Sequence, residues 1–226
     1  MTDQLAFNWP RREALGADDF FVTEANAAAH AMVMAPESWP DGRLALIGPA
    51  GSGKTHLARL CRQSTGAALL PAAEIDPDAP MPETRTLILE DAEALPPEAE
   101  EWLFHAHNHL VGPGRTGRLL LTSSIAPARW QVALPDLASR LSAATIVRIE
   151  DPDDTLLSAV MMKLFQDRQL SPKPAAIDFA LRHVDRSFAA VGELVARLDA
   201  RALAEHREIT RDLVREALDK PQSETH

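Results

Sequence analysis

A single cysteine, Cys61, rules out an internal disulfide. No apolar run approaches the length of a membrane span, and the opening MTDQLAFNW lacks the cationic start and long apolar stretch of a secretion signal. A cytoplasmic protein is the expectation. Cations are in short supply, with 23 Lys and Arg against 33 Asp and Glu, a net charge of −10. That balance repels a phosphate backbone unless the cations gather on one face, so direct DNA binding is not expected. Any residual DNA contact would run through Arg182, Arg186, Arg197 and Arg201. Tyrosine is missing altogether and no internal repeat is found, and neither absence points to a function. What remains is a chain of 226 residues with ordinary globular composition, enough to bury a core as one large domain or as a medium domain with a small companion.

What is present starts with GPAGSGKT, Gly48 to Thr55, which matches G-x-x-x-x-G-K-[ST] and follows the apolar run Leu44 to Ile47. The glycines at 48, 51 and 53 let the backbone turn tightly and point its N–H groups inward, as a phosphate requires. Lys54 can reach β and γ phosphates, and the Thr55 hydroxyl can ligate Mg²⁺. The residues that follow read as a helix, whose N-terminal dipole adds to the anion site. The candidate nucleotide-binding set is therefore Gly48, Pro49, Ala50, Gly51, Ser52, Gly53, Lys54, Thr55 and His56.

The first two-thirds of the chain alternate short apolar runs with amphipathic segments, the pattern of a parallel sheet covered by helices. Strands are predicted near 44–47, 67–70, 86–89, 118–122 and 145–149. Helices are predicted near 24–35, 54–64, 97–110 and 136–142. The stretch from Pro71 to Pro82, rich in proline and acid, reads as an exposed loop, and Glu98, Glu100 and Glu101 as a solvated helix face. Beyond Pro152 the strand pattern stops, and apolar residues recur at helical spacing near 153–168, 174–184, 187–206 and 210–219. Pro174 and Thr210 open two of these helices. The expected organisation is an N-terminal peptide 1–10, an α/β nucleotide-binding domain 11–150, a small all-α lid 151–220 and a tail 221–226.

A phosphate loop needs an acidic partner at the end of a neighbouring strand, and Leu87-Ile88-Leu89-Glu90-Asp91 supplies it. In order after it come PPEAEEWLFHAHNHL, LLLTSS, LPDLASRL and the helical region. Together these segments resemble the AAA+ P-loop ATPases, with a parallel five-stranded sheet flanked by helices and a helical lid. Within them the chain is most similar to the DnaA-related group, the ATPase domain of the bacterial replication initiator and its short paralogue Hda. DDFFVTEANAAAHAMV resembles the N-terminal box that lines the adenine pocket, LTSSIAP the sensor 1 strand end, and LPDLASRL the segment with the arginine finger. The resemblance runs from about residue 4 to 219. It leaves no room for the initiator's oligomerisation domain or its helix-turn-helix, which favours Hda.

The resemblance implies ATP or ADP with Mg²⁺ as cofactors. Phe21 and Val22 would cover the adenine, and Ser123 and Ser124 would serve as sensor 1. Glu90 and Asp91 would join Thr55 at the metal, with Asp91 also orienting the attacking water. Glu90 departs from the family's usual Asp, and Ala189 stands where the sensor 2 arginine belongs, with Arg186 one turn away. These departures imply nucleotide binding with slow or negligible intrinsic hydrolysis and allow a preference for ADP. Arg140 corresponds to the finger and would act in trans on ATP bound to DnaA. The structural alternative is a surface arginine paired with Asp136, and Arg129 and Arg148 are rival cations. Gln4, Leu5 and Phe7, in the run ending at Trp9, resemble a peptide that engages the DNA polymerase III sliding clamp. A homodimer or mixed oligomer with DnaA is expected, with DNA contact indirect. Two other functions fit the same fold: a stand-alone ATPase of the helicase-loader type, and a clamp-tethered adaptor with structural nucleotide. Glu101, His105 and His109 share a helical face but lack the further ligand zinc would need, so they read as packing.

Overall fold

The computed structural model describes residues 20–112 and 114–219. The clamp-like peptide with Gln4, Leu5 and Phe7, and the tail 221–226, lie outside the described residues. Five strands, β1 (Arg43–Ile47), β2 (Ala68–Pro71), β3 (Thr86–Glu90), β4 (Arg118–Ser123) and β5 (Thr145–Arg148), form one sheet in the order β2-β3-β4-β1-β5. Every pairing is parallel. The apolar runs explain this arrangement, because a parallel sheet is covered on both faces and its strands read as continuous hydrophobic segments.

Alternation along each strand then sorts the core into two layers. Leu44, Leu46, Ile88 and Leu120 face α1 (Ala27–Val33) and α2 (Lys54–Thr65). Leu87, Leu89, Leu119 and Leu121 face α3 (Glu100–Val111) and α4 (Pro135–Ser142). Cys61 lies in the first layer, fully buried, and burial pushes its thiol up to about 11, so it behaves as a small inert hydrophobe. Among the described residues no helix is long and apolar enough to cross a membrane.

After β5 the chain turns entirely helical. The elements are α5 (Asp154–Asp167), α6 (Pro174–His183), α7 (Phe188–Glu205) and α8 (Arg211–Asp219), which share a core of their own around Met161, Phe165, Leu194 and Leu213. Asp153 caps α5 by accepting from Leu156 N–H at 2.6 Å, and Ser187 caps α7 by accepting from Ala190 N–H at 3.1 Å.

Two expectations are corrected. The connection from Pro71 to Pro82 is not simply an exposed loop: Ala72 and Ile75 are buried beneath it, and the Trp102 indole N–H donates to Ala79 O at 2.9 Å. Glu100 is not on a solvated face. It is 3% exposed, and its two carboxylate oxygens accept from the N–H groups of Ala133 and Leu134, both at 2.8 Å. Those groups precede Pro135 at the start of α4, where the backbone has no partner of its own. Glu100→Ala leaves both N–H groups without their acceptor, and is expected to cost about 3 kcal/mol, read as a lowered urea midpoint at unchanged slope.

Candidate nucleotide site

The phosphate loop leaves β1 at Ile47, where Gly48 N–H donates to Ser123 O at 3.2 Å. Gly51 and Gly53 carry φ of +75° and +92°, the left-handed region where a side chain is strained. Space excludes one as well: a Cβ on Gly51 would come within 2.9 Å of Phe188 Cβ on the lid. Gly53 is the N-cap of α2 and has no side chain to cap with, so the first N–H groups of the helix stay available to an anion. Lys54 folds back over the loop, its ammonium donating to Gly48 O at 2.8 Å and Pro49 O at 2.9 Å. Burial draws its pKa down, and the carboxylates of Asp91 and Glu93 oppose that pull.

A cavity of about 820 Å³ opens in front of this loop, within the range of small-molecule sites. Ala50 through His56 line it, whereas Gly48 and Pro49 are reached through Lys54. Phe21 forms part of the wall and Val22 does not. The better-placed aromatic is Phe20, stacked on His30 with centroids 5.6 Å apart and edge-on to His56 at 5.2 Å. Asn26 fixes this segment from beneath, accepting from Thr23 N–H and donating to Phe21 O, each at 2.8 Å.

The strand ends bring Asp91, Glu93 and Ser124 to the opposite wall, whereas Glu90 does not line the cavity and is reached through Thr55. Glu90 is half-buried, and burial pushes its carboxyl up against a hydrogen bond from the Thr55 hydroxyl and the charge of Arg59. Its Oε1 has no partner among the described residues. The added methylene of Glu90 therefore does not keep it from the loop. Asp91 takes a left-handed φ of 49°, and its N–H donates to Thr122 Oγ1 at 3.1 Å. Thr55, Glu90 and Asp91 form the kind of hard oxygen set that suits a divalent cation such as Mg²⁺. Of the two predicted sensor serines only Ser124 lines the cavity. Ser123 is fully buried, its hydroxyl donating to Ile125 O at 2.7 Å and accepting from Trp130 Nε1 at 3.1 Å.

The lid closes the remaining side with Phe188, Ala189 and Gly192 of α7 and a stripe of α5. Arg186 does not line the cavity, but pairs with Asp154 at 2.9 Å on the exposed surface. Sequence reasoning missed two lid cations that do line it: Lys163, paired with Asp167 at 2.8 Å, and Arg168, 3.9 Å from Asp199. The Lys163/Asp167 spacing of one helical turn was their only local signal.

Arg140 lies outside this cavity. Its guanidinium donates to Asn108 Oδ1 and rests 4.7 Å from the centre of the Phe104 ring, while Arg43 holds the Arg140 carbonyl at 3.2 Å. Asp136 is not its partner among the described residues. His107 lies beneath, 3% exposed, with Nδ1 at 3.5 Å from Arg140. Burial first, then the charges of Arg43 and Arg140, draw its pKa from 6.5 down to about 4. A lowered pKa means that the stability tied to neutral His107 is fully present above about pH 6.5 and is lost as pH falls toward 4. The loss should approach about 3 kcal/mol, and His107→Leu should flatten that limb of stability against pH in urea titrations.

No protein-family model matches the chain. Among solved structures, domain III of the Thermotoga maritima replication initiation protein DnaA superposes with a TM-score of 0.74 at 16% identity, covering 94% of this chain and 100% of that one. AMPPCP-bound DnaA from Aquifex aeolicus gives 0.63 at 18% identity, over 88% of this chain and 68% of that one. A RuvB mutant from Thermotoga maritima gives 0.66 at 16% identity, over 92% and 72%. The chain has the AAA+ P-loop fold, a parallel five-stranded sheet with flanking helices, found in DnaA domain III and RuvB.

Proposed function

We propose that this chain is an Hda-like adenine-nucleotide-binding regulator of replication initiation, which stimulates hydrolysis of ATP held by DnaA while tethered to the DNA-loaded sliding clamp. The placement of Arg140 carries this reading. Its guanidinium is held at the far end of α4 by Asn108 and Phe104, outside the chain's own cavity, as a group serving a neighbour's phosphates must be. A stand-alone motor fits less well: Ala189 gives the lid no sensor 2 cation, and Lys163 and Arg168 already have acid partners.

In this reading the loop N–H groups and Lys54 hold the phosphates, with Phe20 and Phe21 beside the base. Thr55, Glu90 and Asp91 would hold Mg²⁺, which offsets phosphate charge when bound. The buried, unpartnered Oε1 of Glu90 supports that assignment. Gln4, Leu5 and Phe7 would engage the clamp, on the sequence pattern alone. Mixed assembly with DnaA follows from a site completed at a protomer boundary.

The test is ADP formation from ATP-loaded DnaA on clamp-loaded DNA. The wild-type chain is expected to accelerate it, and Arg140→Ala to lower the acceleration by about 100-fold or more. Asn108→Ala, which removes the guanidinium's partner, should fall between the two. Removing residues 1–9 should abolish the clamp dependence without changing nucleotide affinity. Acceleration indifferent to Arg140→Ala would overturn the proposal.

A further inference from the structure

The cavity contains one contact that the nucleotide reading leaves unexplained. Ser124, just past the end of β4, gives both of its donors to a single carboxylate oxygen: its N–H to Glu93 Oε1 at 2.7 Å and its hydroxyl to the same atom at 2.6 Å. Glu93 and Ser124 both line the cavity, together with Lys54, Thr55 and Asp91. An N–H and an O–H converging on one point make a small anion site, and here an anion of the protein's own fills it.

We infer that Glu93 is a specificity-determining residue, an internal carboxylate that occupies the Ser124 donors and so biases the site against a nucleoside triphosphate relative to the diphosphate. The inference rests on reading the cavity as a nucleotide site. Two features support it. The neighbouring hydroxyl is outside the cavity lining: Ser123 is buried, donating to Ile125 O and accepting from Trp130, and its influence on Glu93 is smaller than that of Ser124. The acid is held in place by its backbone, in the short 3₁₀ turn Ala92–Ala94 that follows the left-handed Asp91, with Ala94 N–H donating to Asp91 O at 2.8 Å.

The second oxygen of Glu93 is buried without a partner among the described residues, so Ser124 is the carboxylate's main anchor. Its charge is felt by Lys54, alongside that of Asp91. A third phosphate brings a further anion to donors already holding one, and must either displace Glu93 or bind without Ser124. A diphosphate lacks that group and leaves the clasp closed.

The experiment is isothermal titration of the full chain with Mg·ADP and with a Mg·non-hydrolysable ATP analogue, for wild type, Glu93→Ala, Glu93→Gln and Ser124→Ala, and for the double variant. Glu93→Ala should raise the triphosphate-to-diphosphate affinity ratio by roughly tenfold, since charge-assisted hydrogen bonds of this kind carry about that weight. Glu93→Gln keeps an acceptor but loses the charge, and should raise it less. In the Ser124→Ala background the gain should largely vanish, and a single cooperative urea transition in each nucleotide-free variant reports an intact fold. An unchanged ratio in Glu93→Ala would overturn the inference. So would a gain that persists undiminished without the Ser124 hydroxyl and extends to Glu93→Gln, which would reduce Glu93 to a diffuse charge. Wild type that takes up neither nucleotide would instead remove the nucleotide reading itself.

Discussion

Parallel register is the constraint on which the site depends. Because β1, β3 and β4 run the same way and pair without a bulge, their C-terminal ends come out at one edge of the sheet, Ile47 opposite Ser123 and Leu89 opposite Leu121. The next residues on each strand are then the phosphate loop, the Glu90/Asp91 pair and Ser124. Ligand sites in open α/β sheets form at this edge for that reason. A slip of one residue in β3 would turn Glu90 to the other face and bury Asp91's neighbours in the wrong layer, since Leu87 and Leu89 pack against α3 and Ile88 against α2.

The charges at that edge are strongly opposed. Lys54 faces the fields of Asp91 and Glu93, Glu90 is raised by burial, and the lid cations Lys163 and Arg168 have acid partners nearby. Any attraction for phosphate would therefore fall to the glycine-shaped backbone, the start of α2, the ammonium of Lys54 and the guanidinium of Arg59, which also lines the cavity. A second set of charges lies at α4, outside the cavity. Glu100 fixes the start of that helix through Ala133 and Leu134, and Asn108 and Phe104 fix the guanidinium at its end, all from the one helix α3 that follows the acidic strand.

Much of this was legible in the sequence because the signals are local. Apolar runs marked the five strands, Gly48 to Thr55 marked the loop, and Pro174 and Thr210 marked helix starts, so element boundaries agree within a few residues. What could not be read is non-local. Glu100 looks like any acid in a first helical turn until Ala133 and Leu134 arrive from the far side of β4. Glu93 looks like a loop acid until parallel pairing puts Ser124 beside it. Ser123 and Ser124 are adjacent and chemically identical, yet one is core and the other faces the cavity, a difference set by the strand's alternation and the Trp130 indole. Phe20 and Phe21 divide in the same way, the first packed onto His30 and His56 and the second half open.

The most direct test of the account is equilibrium binding of Mg·ADP to the full chain, wild type against Lys54→Ala. The account predicts micromolar or tighter affinity for the wild type and a loss of at least about tenfold when the one ammonium in the loop is removed. Absence of binding in the wild type, or equal affinity in the two proteins, would contradict it.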